Sequence, residues 1–123
     1  MPHRILIVDD HGPTRQEIRS LLKREGLEVC GEAANGKEAI EKVKELMPDL
    51  VILDISMPLM NGFEALPAML KYASRMKVVI FTVDDAKELR GEAFRLGARA
   101  YVAKSEPPEG LLGGVKRLLS ETP

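Results

Sequence analysis

Tryptophan is absent from the 123-residue chain, aromatic residues make up 4% of it, and there is one cysteine, Cys30. A single thiol supports neither a disulfide framework nor a thiolate metal site, and its place in an apolar run makes it a small buried hydrophobe. No charge of one sign dominates: 18 basic and 19 acidic residues leave a net charge of -1. The charges are scattered through the sequence, so no basic stripe points to direct binding to nucleic acid or an anionic membrane. No stretch approaches the roughly 18 consecutive apolar residues of a membrane span, and Met-Pro-His-Arg leads into a strand-like run without a secretory apolar region. The expectation is a cytoplasmic protein.

What is present is a core: 45% of the residues are hydrophobic, enough for one continuous apolar interior in a chain of this length. Residues 1–123 are therefore expected to form a single domain. Arg4 to Val8 is a short apolar, β-branched run, as in a strand buried on both faces. Gly12-Pro13 opens a helix with the apolar stripe Ile18, Leu21 and Leu22, and Gly26 stops it. The pattern repeats with a strand at Leu27 to Glu32 and a helix capped by Asn35 with Glu38, turning Ala39, Ile40, Val43 and Met47 inward until Pro48. Three more pairs follow: Asp49 to Leu53 with Phe63 to Ala73, Lys77 to Phe81 with Asp85 to Leu96, and Arg99 to Val102 with Pro108 to Ser120. Pro67 is expected to kink the third helix or delay its regular part. Five strand–helix units with short connections predict an α/β protein, a parallel sheet covered by helices on both faces.

In an open α/β sheet, ligands bind beyond the carboxyl ends of the strands. Asp9 and Asp10 follow the first strand, Asp54 ends the third, Thr82 follows the fourth and Lys104 the fifth, so all five fall on one edge. Each has a plain structural reading as a turn acid, a strand terminator or a solvated lysine. Together they do not: three carboxylates about 5 Å apart repel by roughly 3 kcal/mol per pair at an effective dielectric near 20, so the cluster needs compensation. Lys104 and a divalent cation supply it. Mg²⁺ takes oxygen ligands and is commonly held by one or two carboxylates plus a phosphate oxygen. With that charge neutralised and Thr82 donating to a phosphoryl oxygen, Asp54 can attack phosphorus and become an aspartyl phosphate. His3 and His11 are not read as metal ligands, because imidazole suits zinc, copper or iron better than Mg²⁺. The methionines Met57, Met60, Met69 and Met76 read as packing.

Four blocks and their spacing carry a resemblance: I-L-I-V-D-D at Ile5 to Asp10, L-D-I-S-M-P-L-M-N-G at Leu53 to Gly62, F-T at Phe81-Thr82, and G-A-R-A-Y-V-A-K at Gly97 to Lys104. Over essentially the whole chain the sequence resembles the receiver domain of two-component response regulators, of the CheY-like kind. The resemblance implies a flavodoxin-like, doubly wound (βα)5 fold with strand order 2-1-3-4-5, and a phosphorylation-controlled signalling switch rather than an enzyme, catalysing only its own phosphorylation and dephosphorylation. It implies that Asp54 accepts the phosphoryl group and that Asp9, Asp10, Asp54 and the backbone carbonyl of Ser56 hold Mg²⁺. Thr82 and Lys104 would bind the phosphoryl group, and Thr82 with Tyr101 would be the switch pair that changes the face made by the fourth helix, fifth strand and fifth helix.

The partners implied are a sensor histidine kinase or phosphotransfer protein upstream, and downstream an effector or a C-terminal output domain. A phosphorylation-dependent homodimer is left open, and neither nucleic acid nor membrane is bound by the domain itself. Gly31 to Ile40 (G-E-A-A-N-G-K-E-A-I) looks most like receivers that precede a helix-turn-helix domain, so the chain reads as a stand-alone receiver or a piece of a longer regulator. Three departures from the family pattern stand out. Val83 replaces the usual small residue after the threonine and is expected to tune access to the phosphoryl group. Ser105 follows Lys104 where proline is common, which puts a cis bond in question, since without proline it costs about 3 kcal/mol. Pro67 is the third. Two other readings fit less well: haloacid-dehalogenase-type phosphatases carry D-x-D after the first strand, and a flavin binder needs a phosphate loop and stacking aromatics.

Overall fold

The computed structural model describes residues 3–121. Five strands and five helices alternate: β1 (Arg4–Val8), α1 (Gly12–Arg24), β2 (Glu28–Ala33), α2 (Gly36–Leu46), β3 (Leu50–Leu53), α3 (Gly62–Tyr72), β4 (Lys77–Thr82), α4 (Lys87–Arg95), β5 (Ala100–Ala103) and α5 (Pro108–Ser120). The strands form one parallel sheet in the order β2-β1-β3-β4-β5, the doubly wound arrangement expected from the sequence.

Alternation along each strand explains the two-sided core. Ile5, Ile7, Leu50, Ile52 and Val79 face α1 and α5, meeting Ile18, Leu22, Leu111, Val115 and Leu118. Leu6, Val8, Val51, Leu53, Val78 and Ile80 face the other way, onto Ala39 and Val43 of α2, Ala65, Leu66 and Met69 of α3, and Ala93 of α4. Both faces are covered, so the central strands are apolar without interruption, and each buried aliphatic side chain contributes about 1.5–3 kcal/mol. Polar residues are thereby displaced to the strand ends.

Three local expectations are corrected. Cys30, expected to be buried, is only partly so, because β2 is an edge strand of the sheet. Met47 does not face inward: it is 54% exposed and takes a left-handed conformation, φ 44°, as the C-cap of α2. The helical period runs on to Met47, but the helical region is disfavoured for a residue before proline, and the helix ends at Leu46, one residue early. Pro67 does not delay α3, which runs from Gly62 to Tyr72 with the proline inside it on the exposed face. The proline costs one helical bond where water can replace it, and a capping box between Asn61 and Glu64 secures the first turn.

Candidate functional site

The site begins where β1 runs out of apolar residues. The Asp9 amide still pairs with β2, donating to the Ala33 carbonyl at 3.0 Å, so its side chain is held under the sheet edge and is 1% exposed, while Asp10 reaches solvent. Asp9 Oδ1 accepts the His11 amide at 2.9 Å. His11 itself caps α1, its Nδ1 accepting the Thr14 amide at 3.3 Å. Behind the acids, Arg15 Nη1 donates to the Asp9 carbonyl at 2.6 Å, and its Nε donates to Glu32 at 3.0 Å.

Asp54 is placed by the same logic on β3. Its amide donates to the Val8 carbonyl at 2.9 Å, its Oδ1 accepts the Ile55 amide at 2.8 Å, and the residue is 6% exposed. The following loop is clamped by close backbone approach. A Cβ on Gly62 would lie 2.2 Å from the Asp54 carbonyl oxygen, and the Gly62 amide donates to the Ile55 carbonyl at 2.8 Å. Glycine is required there for space, not for an unusual φ. Ser56 is exposed in this loop.

Lys104, just beyond β5, joins the two buried acids. Its Nζ lies 2.7 Å from Asp9 Oδ2 and 3.2 Å from Asp54 Oδ2. Carboxylate oxygens of Asp9, Asp10 and Asp54 all lie within 4.8 Å of one another. Burial, joined by the negative charge of Asp9, pushes the Asp54 carboxyl above the usual carboxylate range, even though Lys104 and the Ile55 amide pull the other way. Burial alone would lower the Lys104 ammonium, but the hydrogen bond to Asp9 and the fields of both acids outweigh it and hold Lys104 above its ordinary value. One ammonium thus offsets part of the repulsion of three carboxylates. The donors are all hard oxygens, two fixed by burial and one open to water, which is the set that fits Mg²⁺.

The chain matches the family model described as the response regulator receiver domain over residues 5–116. The chain is a response regulator receiver domain. This receiver is 36% identical over 118 residues to the chemotaxis protein CheY of Thermotoga maritima, covering 96% of this chain and 98% of that one. It is 38% identical over 112 residues to the nitrate/nitrite response regulator protein NarL of Escherichia coli K12, covering 90% of this chain and 52% of the relative. Among solved structures, a LuxR-family response regulator from Aurantimonas superposes with a TM-score of 0.93 at 33% identity, covering 98% of this chain and 86% of that one. The CheX–CheY–BeF3–Mg complex of Borrelia burgdorferi superposes with a TM-score of 0.94 at 27% identity, covering 98% of this chain and 92% of that one.

The remaining predicted residues of the receiver lie farther along the same edge. Thr82 ends β4, is 1% exposed, and its Oγ1 accepts the Asp84 amide at 3.5 Å rather than bonding to the carboxylates. Tyr101 lies in β5 opposite Ile80 and is buried against the α4 face, with its hydroxyl donating to the Asp84 carbonyl at 2.6 Å. Burial, then the charge of Asp84, raises its phenol above the ordinary value. Val83 is 74% exposed between β4 and α4. Every described peptide bond is trans, including that between Lys104 and Ser105. Sequence reasoning missed Arg15, which holds the backbone of Asp9, and Asp84, which meets Tyr101 through a carbonyl that every residue type carries. The Asn61–Glu64 box is legible in the sequence as an N-x-x-E signature before the third helix.

Proposed function

We propose that this receiver, spanning residues 1–123, accepts a phosphoryl group on Asp54 from the phosphohistidine of a sensor histidine kinase or phosphotransfer protein, in a Mg²⁺-dependent reaction. The observation that carries the reading is the pairing of a buried strand-end carboxylate with one ammonium and two further carboxylates within 4.8 Å. An Asp54 oxygen forms the new O–P bond as the P–N bond to imidazole breaks, and the imidazole leaves with the electron pair. Asp9, Asp10, Asp54 and the Ser56 carbonyl are the residues that would hold Mg²⁺, and the ion when bound neutralises charge on the phosphoryl oxygens. The solved Borrelia relative, a complex with BeF3 and Mg, supports this assignment by analogy.

The residues around Asp54 divide the work. Oδ1 is oriented by the Ile55 amide, so rotation of the carboxylate is restricted before reaction. Lys104 follows the charge: it holds Asp54 Oδ2 in the free protein and is in reach of a phosphoryl oxygen attached there. The Thr82 hydroxyl, tied only weakly to Asp84, is free to turn and donate to the phosphoryl group. Loss of that tie loosens the Asp84 segment that holds Tyr101, which connects phosphorylation to the surface of α4, β5 and α5. The output is an effector or a C-terminal domain in the cytoplasm, with self-association as the alternative. Among the described residues no helix is long and apolar enough to cross a membrane.

Incubation with acetyl phosphate and Mg²⁺ is expected to add one phosphoryl group by intact mass, and Asp54→Asn to add none. Asparagine keeps the shape and lacks the nucleophile. Equal labelling of the variant would refute the assignment.

A further inference from the structure

Tyr101 is held by the backbone of Asp84 and, through Arg90, by the side chain of Asp85. Its hydroxyl donates to the Asp84 carbonyl at 2.6 Å, and its ring is covered by Arg90 of α4, whose guanidinium carbon lies 4.8 Å from the ring centroid. The guanidinium is itself fixed: Nε donates to Asp85 Oδ1 at 2.7 Å, Nη2 lies 2.6 Å from the same oxygen, and Nη1 reaches the Tyr101 carbonyl at 3.4 Å. A planar guanidinium stacked on an aromatic face and held by a carboxylate at its edge is a pre-organised contact that a lysine cannot reproduce. The segment it closes has little else to hold it, since Ala86, the N-cap of α4, offers no side-chain cap and Asp84 supplies the bond to the Ala86 amide at 3.0 Å. Arg95 of the same helix is differently placed, paired with Glu92 along the helix surface.

We propose that Arg90, fixed by Asp85, is a positioning residue that clasps Tyr101 in its buried place and sets the balance between buried and exposed Tyr101. The inference rests on the reading of Thr82 and Tyr101 as the switch pair. A ligand at Asp54 moves an equilibrium only through contacts that differ between its states, so the clasp determines how far the resting protein already lies toward the buried state.

Nitration of the free protein, followed by peptide mass mapping, tests the clasp, because the rate at a buried tyrosine follows the population in which it is exposed. Tyr72, 49% exposed, is the internal reference. Arg90→Ala is expected to raise the Tyr101 rate relative to Tyr72 about two- to fivefold, the shift that loss of a partly exposed cation–π contact produces. Arg90→Lys should fall between the two. Asp85→Asn, which leaves the guanidinium in place but frees it, should raise the rate in the same direction. It also covers the case in which Arg90→Ala does not fold. Arg95→Ala should leave the rate unchanged. Unchanged Tyr101 rates in folded Arg90→Ala and Asp85→Asn would overturn the clasp, as would an equal rise in Arg95→Ala. Acetyl phosphate labelling of Arg90→Ala, read by intact mass, separates the two ideas: normal labelling with unchanged nitration sinks only the clasp. Raised nitration in a protein whose wild type takes no phosphoryl group sinks only the phosphorylation reading.

Discussion

Two buried carboxylates face each other across Lys104, and the charge of Asp54 is the one this environment resists most plainly. Because its carboxyl lies above the ordinary carboxylate range, the folded state holds that proton more tightly than the unfolded chain does. The ionised form therefore takes stability away as pH rises from the ordinary carboxylate value through the raised one, and the loss persists at neutral pH. Asp54→Asn should be more stable than wild type near pH 7 without Mg²⁺. The gain is of order 1 kcal/mol, since the Lys104 attraction offsets much of the roughly 3 kcal/mol repulsion of a carboxylate pair. The advantage should fade below the ordinary carboxylate value, where wild type carries the proton too. Urea midpoints at the two pH values measure this, and a variant less stable at neutral pH would contradict it. At this scale the sequence foretold which residues gather: the strand-end positions of Asp9, Asp10, Asp54 and Lys104 predicted their cluster. The contact of Arg90 was not foretold, because an arginine in a charged helical stretch looks the same whether it covers a tyrosine or lies in water.

Elements were legible wherever a period met a stop signal. Gly12-Pro13 opened α1, Asn35 with Glu38 capped α2, and α5 ran from Pro108 to Ser120 as read. Boundaries slipped where the stop was conformational, as at Met47, or where charge alternation outlasted the helix: α4 starts at Lys87 rather than Asp85 because Asp84 and Asp85 are engaged with Ala86 and Arg90. Glycines show the difference between a local preference and a contact. Gly113 lies inside α5, exposed, with nothing within 4 Å of where a Cβ would be, so Gly113→Ala should stabilise by about 0.5–1 kcal/mol. Gly62 opens α3 against the Asp54 carbonyl, at 2.2 Å from its would-be Cβ, so Gly62→Ala should destabilise by about 1–3 kcal/mol and slow phosphoryl acceptance. Thermal melts of both variants decide it: a stabilised Gly62→Ala would mean that the loop is not clamped. Periodicity alone does not distinguish the two glycines, because the second depends on a strand eight residues upstream.

Across the whole molecule, the parallel sheet does what the sequence could only imply: it brings five strand ends to one edge, so that residues 50 apart, Asp54 and Lys104, come within 3.2 Å. The strand-end rule predicted that meeting from topology. It did not predict how α5 is fastened at the opposite edge, where buried Lys77 at the start of β4 donates to the carbonyls of Leu118 at 2.5 Å and Glu121 at 2.8 Å. A lysine that opens a strand carries no signal of that role, and its partners are backbone. The fold thus gathers Asp9, Asp10, Asp54 and Lys104 at one edge and ties its last helix at the other, with α4 and Tyr101 beside the acid cluster. Reductive trapping identifies the acceptor residue itself, proposed above to be Asp54. Borohydride reduces an aspartyl phosphate to homoserine, so protein treated with acetyl phosphate and then borohydride can be mapped residue by residue. Homoserine is expected at position 54 alone, dependent on Mg²⁺ during phosphorylation; homoserine at Asp9 or Asp10, or none at position 54 in protein that has gained a phosphoryl group, would contradict Asp54 as the acceptor.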